Sequence, residues 1–169
     1  CGECGHRLER QVPEGDNRER DCCPSCAAIH YDNPKVVVGC VVEHRGALLL
    51  CRRAIEPRRG YWTCPGGFLE PDEGVMDGAK RETWEEACAR VEIDGLHSHF
   101  DVPHIGQSYV YFRARLVGED FAAGEESLET ALFDPADVPW DEIAFPVLRF
   151  ALQLWVEDRR LQQTRVHLG

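Results

Sequence analysis

Basic residues are in short supply: 19 Lys and Arg stand against 30 Asp and Glu, a formal charge of −11. Phosphate backbones and anionic membranes reward clustered cations, so broad nucleic-acid or membrane-surface binding is not expected. A small phosphorylated molecule is not excluded, because metal ions can meet its charge. Long apolar runs are missing too. The longest, Val36–Val42, is seven residues with a glycine inside it, against the roughly 20 that a bilayer span needs. No basic stretch leads into an apolar segment ahead of it, so a secretory leader is not expected and a cytoplasmic location is. No repeat or low-complexity tract occurs. What is present suits a folded chain: 43% apolar residues in 169 is enough for one domain with a sizeable core and a small appendage.

The cysteines are unevenly placed. Five of nine fall in the first 26 residues, and the other four (Cys40, Cys51, Cys64, Cys88) are singletons. Cys1-Gly-Glu-Cys4 and Cys23-Pro-Ser-Cys26 are two C-x2-C pairs separated by 18 residues. That spacing predicts a tetrahedral Zn²⁺ ribbon over residues 1–34, with Cys1, Cys4, Cys23 and Cys26 as ligands. A segment too small for a core is then folded by the ion. Two disulfides in a secreted protein are the alternative. The odd count and the singletons in apolar runs, where they act as small hydrophobes, weigh against it. Gly5 suits the left-handed turn after the first knuckle, whereas Ala27 does not suit the second, and Cys22 is a bystander. Four Arg against seven Asp and Glu in this segment make it a poor grip for nucleic acid.

Beyond Asn33-Pro34, which reads as a linker, residues 35–169 are expected to form a mixed-sheet α/β domain. Strands are predicted over 35–43 and 47–52, and a charged loop over 53–66. A helix follows over 75–90, then strands over 91–101 and 106–117. A Gly- and Glu-rich loop spans 118–126, a short strand 130–133, and a closing helix 145–161. Trp62 is assigned to the core. His97, His99 and His104 complete no ligand spacing and are assigned to the surface. Cys64 and Cys88 have no evident His base, so thiol catalysis is not expected.

The 75–90 helix carries the chemistry. At 100° per residue, Ala79, Thr83, Trp84, Ala87 and Cys88 share one half, while Glu82, Glu85 and Glu86 fall within roughly a 100° arc on the other. Three carboxylates at this spacing repel one another, and Arg81 alone does not neutralise them. A solvated acidic face is one account. The other is a set of hard oxygen ligands of the kind Mg²⁺ uses when it also holds phosphates.

The flanking residues favour the second account. Gly67-x5-Glu73-x7-Arg81-Glu82-Thr83-Trp84-Glu85-Glu86-Ala87-Cys88-Ala89 closely resembles the Nudix box, G-x5-E-x7-R-E-U-x-E-E-x-G-U with U aliphatic. Departures at Thr83, Cys88 and Ala89 fall on packing and turn positions. The two Cys pairs followed by His30-Tyr31-Asp32-Asn33-Pro34-Lys35 resemble the ribbon-bearing Nudix hydrolases. Residues 54–63 and Gly106-Gln107-Ser108-Tyr109 are closer to the plant-type FAD and ADP-ribose diphosphatases. The S-Q-P-W-P-F-P motif of NADH diphosphatases is missing.

The resemblance implies a Nudix-like α/β/α sandwich that hydrolyses a nucleoside diphosphate linked to another moiety. The expected substrates are FAD, cut to FMN and AMP, or ADP-ribose, a small dinucleotide-type molecule. NADH and RNA caps are the alternatives, and a non-catalytic nucleotide sensor using the ribbon as an interaction module is a rival of another class. It implies Mg²⁺ or Mn²⁺ on Glu82, Glu85 and Glu86, with the Gly66 carbonyl as a further ligand and Glu126 as ligand or base. Glu73 and Arg81 would brace the loop. Arg52, Arg53, Arg58 and Arg59 place four cations in eight residues, candidates for phosphate binding, and Tyr61 is a candidate for stacking on the substrate. A homodimer is expected from the family.

Overall fold

The computed structural model describes residues 1–169 in two compact units, Cys1–Pro34 and Lys35–Gly169. The first holds β1 (Glu9–Gln11), β2 (Arg20–Cys22) and β3 (Ile29–His30), an antiparallel sheet in the order β1-β2-β3. Only Cys22 and Cys23 are buried apolar residues within it, too few for a core. Matching turns close the two knuckles: Gly5 N–H donates to the Cys1 carbonyl and Ala27 N–H to the Cys23 carbonyl, both at 3.0 Å. Ala27 takes the left-handed conformation (φ 60°) as Gly5 does (φ 75°), so the second knuckle accepts an alanine after all. The cost is about 1 kcal/mol, which the repeated turn geometry imposes.

In the second unit β4 (Lys35–His44) and β5 (Ala47–Arg53) form a hairpin. The short strands β6 (Trp62–Thr63) and β7 (Gly66–Phe68) follow, within and just beyond the stretch expected to be loop. Next come α1 (Val75–Ala87), β8 (Val91–Val102), β9 (Gln107–Leu116), β10 (Ser127–Phe133), α2 (Pro146–Leu161) and β11 (His167–Leu168). The sheet runs β10-β5-β4-β9-β8-β11, with β6 on β5 and β7 on β4. It is mixed, since β4 and β9 are parallel, as are β8 and β11.

Strand alternation explains the layers. Val38, Cys40, Val42, Leu49, Cys51, Phe112 and Ala114 pack with Ala79 and Ala87 of α1. Their alternates Val37, Val41, Leu48, Leu50, Tyr109 and Tyr111 pack with Leu148, Leu152 and Trp155 of α2. A period of two thus builds the expected α/β/α sandwich. Trp62 is buried in the second of these cores. No helix is long and apolar enough to cross a membrane.

Three expectations need correction. Helix α1 ends at Ala87, not at residue 90, because Cys88 adopts a left-handed cap (φ 46°) and donates its N–H to the Trp84 carbonyl at 2.8 Å. Trp84 is half exposed, while Glu86 is buried. His97 is fully buried rather than on the surface. A register shift in β8 between Leu96 and Ser98 breaks the alternation, so that His97 and Ser98 are buried in succession.

Candidate active site

Strand β7 pairs with β4 through Val37–Phe68, Val38–Gly67 and Gly39–Gly66, and both strands contact α1. The approach is close enough to demand glycine. A Cβ on Gly66 would lie 2.7 Å from the Val38 carbonyl oxygen and 2.9 Å from the Gly39 Cα, and one on Gly67 would displace the Glu82 carboxylate. Gly66 N–H donates to Glu86 Oε2 at 3.0 Å.

Arg81 ties the loop to the helix. Its Nε and Nη2 donate to the two Glu73 oxygens at 2.9 and 2.6 Å, and Nη2 also reaches the Phe68 carbonyl at 3.1 Å. Nη1 donates to Glu82 and Glu85 at 2.8 and 2.9 Å. The two Arg81 bonds to Glu73, with the Glu70 N–H, hold the Glu73 carboxyl down to about 2.

The acidic cluster is less well served. Burial pushes Glu82 above the ordinary carboxylate range, and the charges of Glu85 and Glu126 add to the effect against Arg81. Glu86 is 5% exposed and its carboxyl is pushed up to about 7, by burial first and then by Glu82 and Glu126, against the Gly66 N–H and Arg53. Neither Glu86 nor Glu126 has a salt-bridge partner, whereas Arg81 pairs with Glu82 and Glu85. A buried carboxylate facing like charges is a poor arrangement for a protein alone, and a divalent cation fits it.

Glu126 reaches the cluster because its loop is pinned to the end of α1. Ala122 and Gly124 N–H groups donate to the Ala87 and Glu86 carbonyls at 2.8 and 3.0 Å, and Ala54 N–H donates to the Glu126 carbonyl at 2.8 Å. Gly124 lies so close that a Cβ there would come within 1.7 Å of the Glu85 carbonyl oxygen.

The four arginines separate. Arg53 is brought to the site: its charge lowers Glu86 and Tyr109, while Nε donates to the Pro57 carbonyl at 2.9 Å and the guanidinium lies over Phe145. Arg52 is engaged by the Gly60 carbonyl and by Glu129. Arg58 lies over the exposed Tyr61 ring, and Arg59 is exposed. The structure adds Tyr109, whose hydroxyl donates to Gln107 Oε1 at 2.7 Å, and Phe145. Gly106-Gln107-Ser108-Tyr109 stands out in the sequence, but only the parallel pairing of β4 with β9 links it to this end of the sheet. The buried thiols are not poised as nucleophiles, because burial pushes Cys40 up to about 11 and Cys64 higher.

In the first unit Sγ of Cys1, Cys4, Cys23 and Cys26 all lie within 4.8 Å of one another. The Cys4–Cys23 and Cys1–Cys26 sulfurs are 3.3 and 3.6 Å apart, beyond the roughly 2 Å of a disulfide. The Cys26 and Ser25 N–H groups help bring the Cys23 thiol down to about 7, which favours the thiolate, the form that binds metal. The four thiols fit one tetrahedral ion.

A mixed sheet between two helices, with carboxylates gathered on one helix beside a glycine strand, defines the class: an α/β/α protein with an acidic helix face against its sheet. Comparison with known proteins places it more closely. Residues 33–150 match the model of the NUDIX domain, and residues 1–32 match the ribbon model described as Nudix N-terminal. The chain belongs to the Nudix family.

A solved NUDIX hydrolase from Nitrosomonas europaea is 47% identical, with TM-score 0.95, over 100% of this chain and 97% of that one. A "MutT-like protein" of Streptomyces ambofaciens is 37% identical over 60% of this chain and 64% of its own length. An ADP-ribose pyrophosphatase of Methanocaldococcus jannaschii is 28% identical over 64% of this chain and 67% of its own. The NAD-capped RNA hydrolase NudC of Chromobacterium violaceum is 33% identical over 53% of this chain and 33% of its own length. The match thus spans about two thirds or less of the curated relatives.

Proposed function

We propose that this chain hydrolyses the diphosphate bond of a nucleoside diphosphate joined to a second moiety, with ADP-ribose or FAD as substrate and AMP as one product. The observation that carries this reading is Glu86, a buried carboxylate without a salt-bridge partner, facing Glu82 and Glu126. On this reading Glu82, Glu85, Glu86, Glu126 and the Gly66 carbonyl hold Mg²⁺ or Mn²⁺, and Cys1, Cys4, Cys23 and Cys26 hold a structural Zn²⁺. A divalent cation supplies neutralising charge to the diphosphate and makes water a better nucleophile.

The remaining work falls to the chain's own groups. Gly66 N–H fixes one oxygen of Glu86, leaving the other free to take a proton or a ligand. Arg81 sets Glu82 and Glu85 on one side through a single nitrogen. Glu126, on its pinned loop, is the candidate base. Arg53 offers a forked cation beside the cluster for phosphate oxygens, and Tyr61 with Arg58 offers an exposed stacking surface. Similarity to the ADP-ribose pyrophosphatase of Methanocaldococcus jannaschii supports ADP-ribose. The bacterial relative makes NAD-capped RNA the second substrate to try, against which stand the acidic charge and the ribbon's surplus of acids.

The test is incubation with Mg²⁺ or Mn²⁺ and ADP-ribose, FAD, NADH, NAD-capped RNA and dinucleoside polyphosphates, followed by chromatography. AMP released from ADP-ribose or FAD is expected. Ligand binding without turnover of any of them would overturn the reading in favour of a sensor.

A further inference from the structure

A second cluster of metal-ligating groups lies on the other face of the sheet from α1, where β8, α2 and β11 meet. His97 of β8, Asp158 of α2 and His167 of β11 each place a ligand atom within 4.8 Å of the other two. All three are shielded: His97 and Asp158 are buried, and the His167 side chain is 12% exposed.

His97 shows an arrangement that ligating histidines share. Its Nε2 lies 2.9 Å from the Ala151 carbonyl, a pure acceptor, so Nε2 carries the proton and Nδ1 is a bare lone pair. That Nδ1 is buried and has no hydrogen-bond partner. A histidine that donates one ring N–H to a backbone carbonyl and keeps the other nitrogen bare is oriented and tautomerically fixed as a metal ligand. Without a ligand, the same nitrogen is an orphaned buried acceptor, an unfavourable state for the fold.

The other two groups share one proton. His167 Nε2 and Asp158 Oδ2 are 2.9 Å apart. Two ligands on a tetrahedral Zn²⁺ sit about 3.3 Å apart, given metal–ligand distances of roughly 2.0–2.2 Å, so an ion could replace that proton with little opening. The second carboxylate oxygen, Oδ1, is held by Arg165 Nε at 2.6 Å, which orients the carboxylate as outer partners of metal ligands do. Arg113 binds the Arg165 carbonyl and Arg165 also pairs with Glu157, so no guanidinium covers Oδ2, which besides His167 meets only a long contact from the Arg165 backbone N–H at 3.4 Å. Two imidazoles and one carboxylate suit Zn²⁺ or Co²⁺ rather than Mg²⁺, which prefers oxygen alone.

We propose that His97 Nδ1, His167 and Asp158 form a second metal site, specific for Zn²⁺-type ions, that clasps β11 to β8 and α2. A water completes the fourth position. The site is independent of the diphosphatase reading, since no residue of the acidic cluster takes part.

The experiment titrates Co²⁺ into the full chain with the ribbon already zinc-loaded and Mg²⁺ saturating, so that hard-ion sites are filled. Uptake is followed by visible absorption and by metal analysis. One extra equivalent is expected in the native protein, with roughly tenfold or weaker affinity in His167→Gln. Equal uptake by the two would overturn the site. Should His167→Gln fail to fold, anomalous scattering from Zn²⁺-soaked native crystals decides. A peak between His97, Asp158 and His167 supports the site, and its absence there refutes it.

Discussion

Two buried carboxylates, one on each helix and on opposite faces of the sheet, meet opposite fates. Glu86 of α1 is 5% exposed and Asp158 of α2 is 4% exposed, so water solvates both equally poorly. Burial pushes both up. For Asp158 the hydrogen bonds from His167 and Arg165 outweigh it and hold the carboxyl below its ordinary value. For Glu86 the single Gly66 N–H and the charge of Arg53 do not, and Glu82 and Glu126 push the same way as burial. In the metal-free chain Asp158 accepts from the side chains of Arg165 and His167, whereas Glu86 accepts only a backbone N–H. Side-chain donors, and not burial, set the two carboxyls apart.

The same amide substitution should therefore have opposite effects at the two positions. Glu86→Gln is expected to cut turnover about a hundredfold or more while the protein stays folded, measured as AMP release at saturating Mg²⁺. An unchanged rate would reduce the helix face to ordinary surface. In buffer free of Mg²⁺ and Mn²⁺ at pH 8, the same variant is expected to be more stable than the native chain. A carboxyl moved from its ordinary 4.5 to about 7 corresponds to about 3 kcal/mol of destabilisation by the ionised form. Asp158→Asn should go the other way. It leaves Arg165 and His167 without their anion and should cost about 2 kcal/mol, read from the denaturant midpoint. A stabilised Asp158→Asn would erase the contrast.

Gly124→Ala sharpens it from a distance. With a Cβ only 1.7 Å from the Glu85 carbonyl, the loop must lift from the end of α1 and carry Glu126 with it. A rate loss of about tenfold is expected, with the melting temperature lowered by only a few degrees. A rate equal to that of the native chain would remove Glu126 from the account.

Much of this was legible in the sequence. The mixed-sheet α/β class follows from the order of strands and helices, the sandwich from the family resemblance, and the acidic helix from the spacing of Glu82, Glu85 and Glu86. The orientation of that helix was not. Trp84 draws the apparent apolar face toward itself, yet the buried stripe of Gly78, Ala79, Thr83, Glu86 and Ala87 lies about a quarter-turn away. In that stripe Glu86 is only about 20° from Ala79 at 100° per residue, so its burial was present in the angles but outweighed by an aromatic. His97 was hidden for a different reason. The shift in β8 is local, but its cover comes from α2 and from β11, about 70 residues downstream. Arg53 could not be distinguished from Arg52, Arg58 and Arg59 by composition, because the distinction rests on which carbonyls and rings each one meets.

The most direct test follows the stability of residues 35–169 against pH without Mg²⁺ or Mn²⁺. All four tryptophans lie in this unit, so fluorescence during denaturation reports on it alone. A carboxyl raised on folding contributes stability that is complete below about 4.5 and lost as pH climbs through about 7. Over the lower part of that range a second slope of opposite sign, common to native chain and Glu86→Gln, runs against it, since burial holds His97 down to about 4 and stability falls as pH drops from 6.5 toward that value. Between pH 6 and 8 the native chain should therefore lose stability with rising pH, while Glu86→Gln should not. Parallel curves for the two proteins across that window would contradict the claim that Glu86 is a buried acid waiting for a cation.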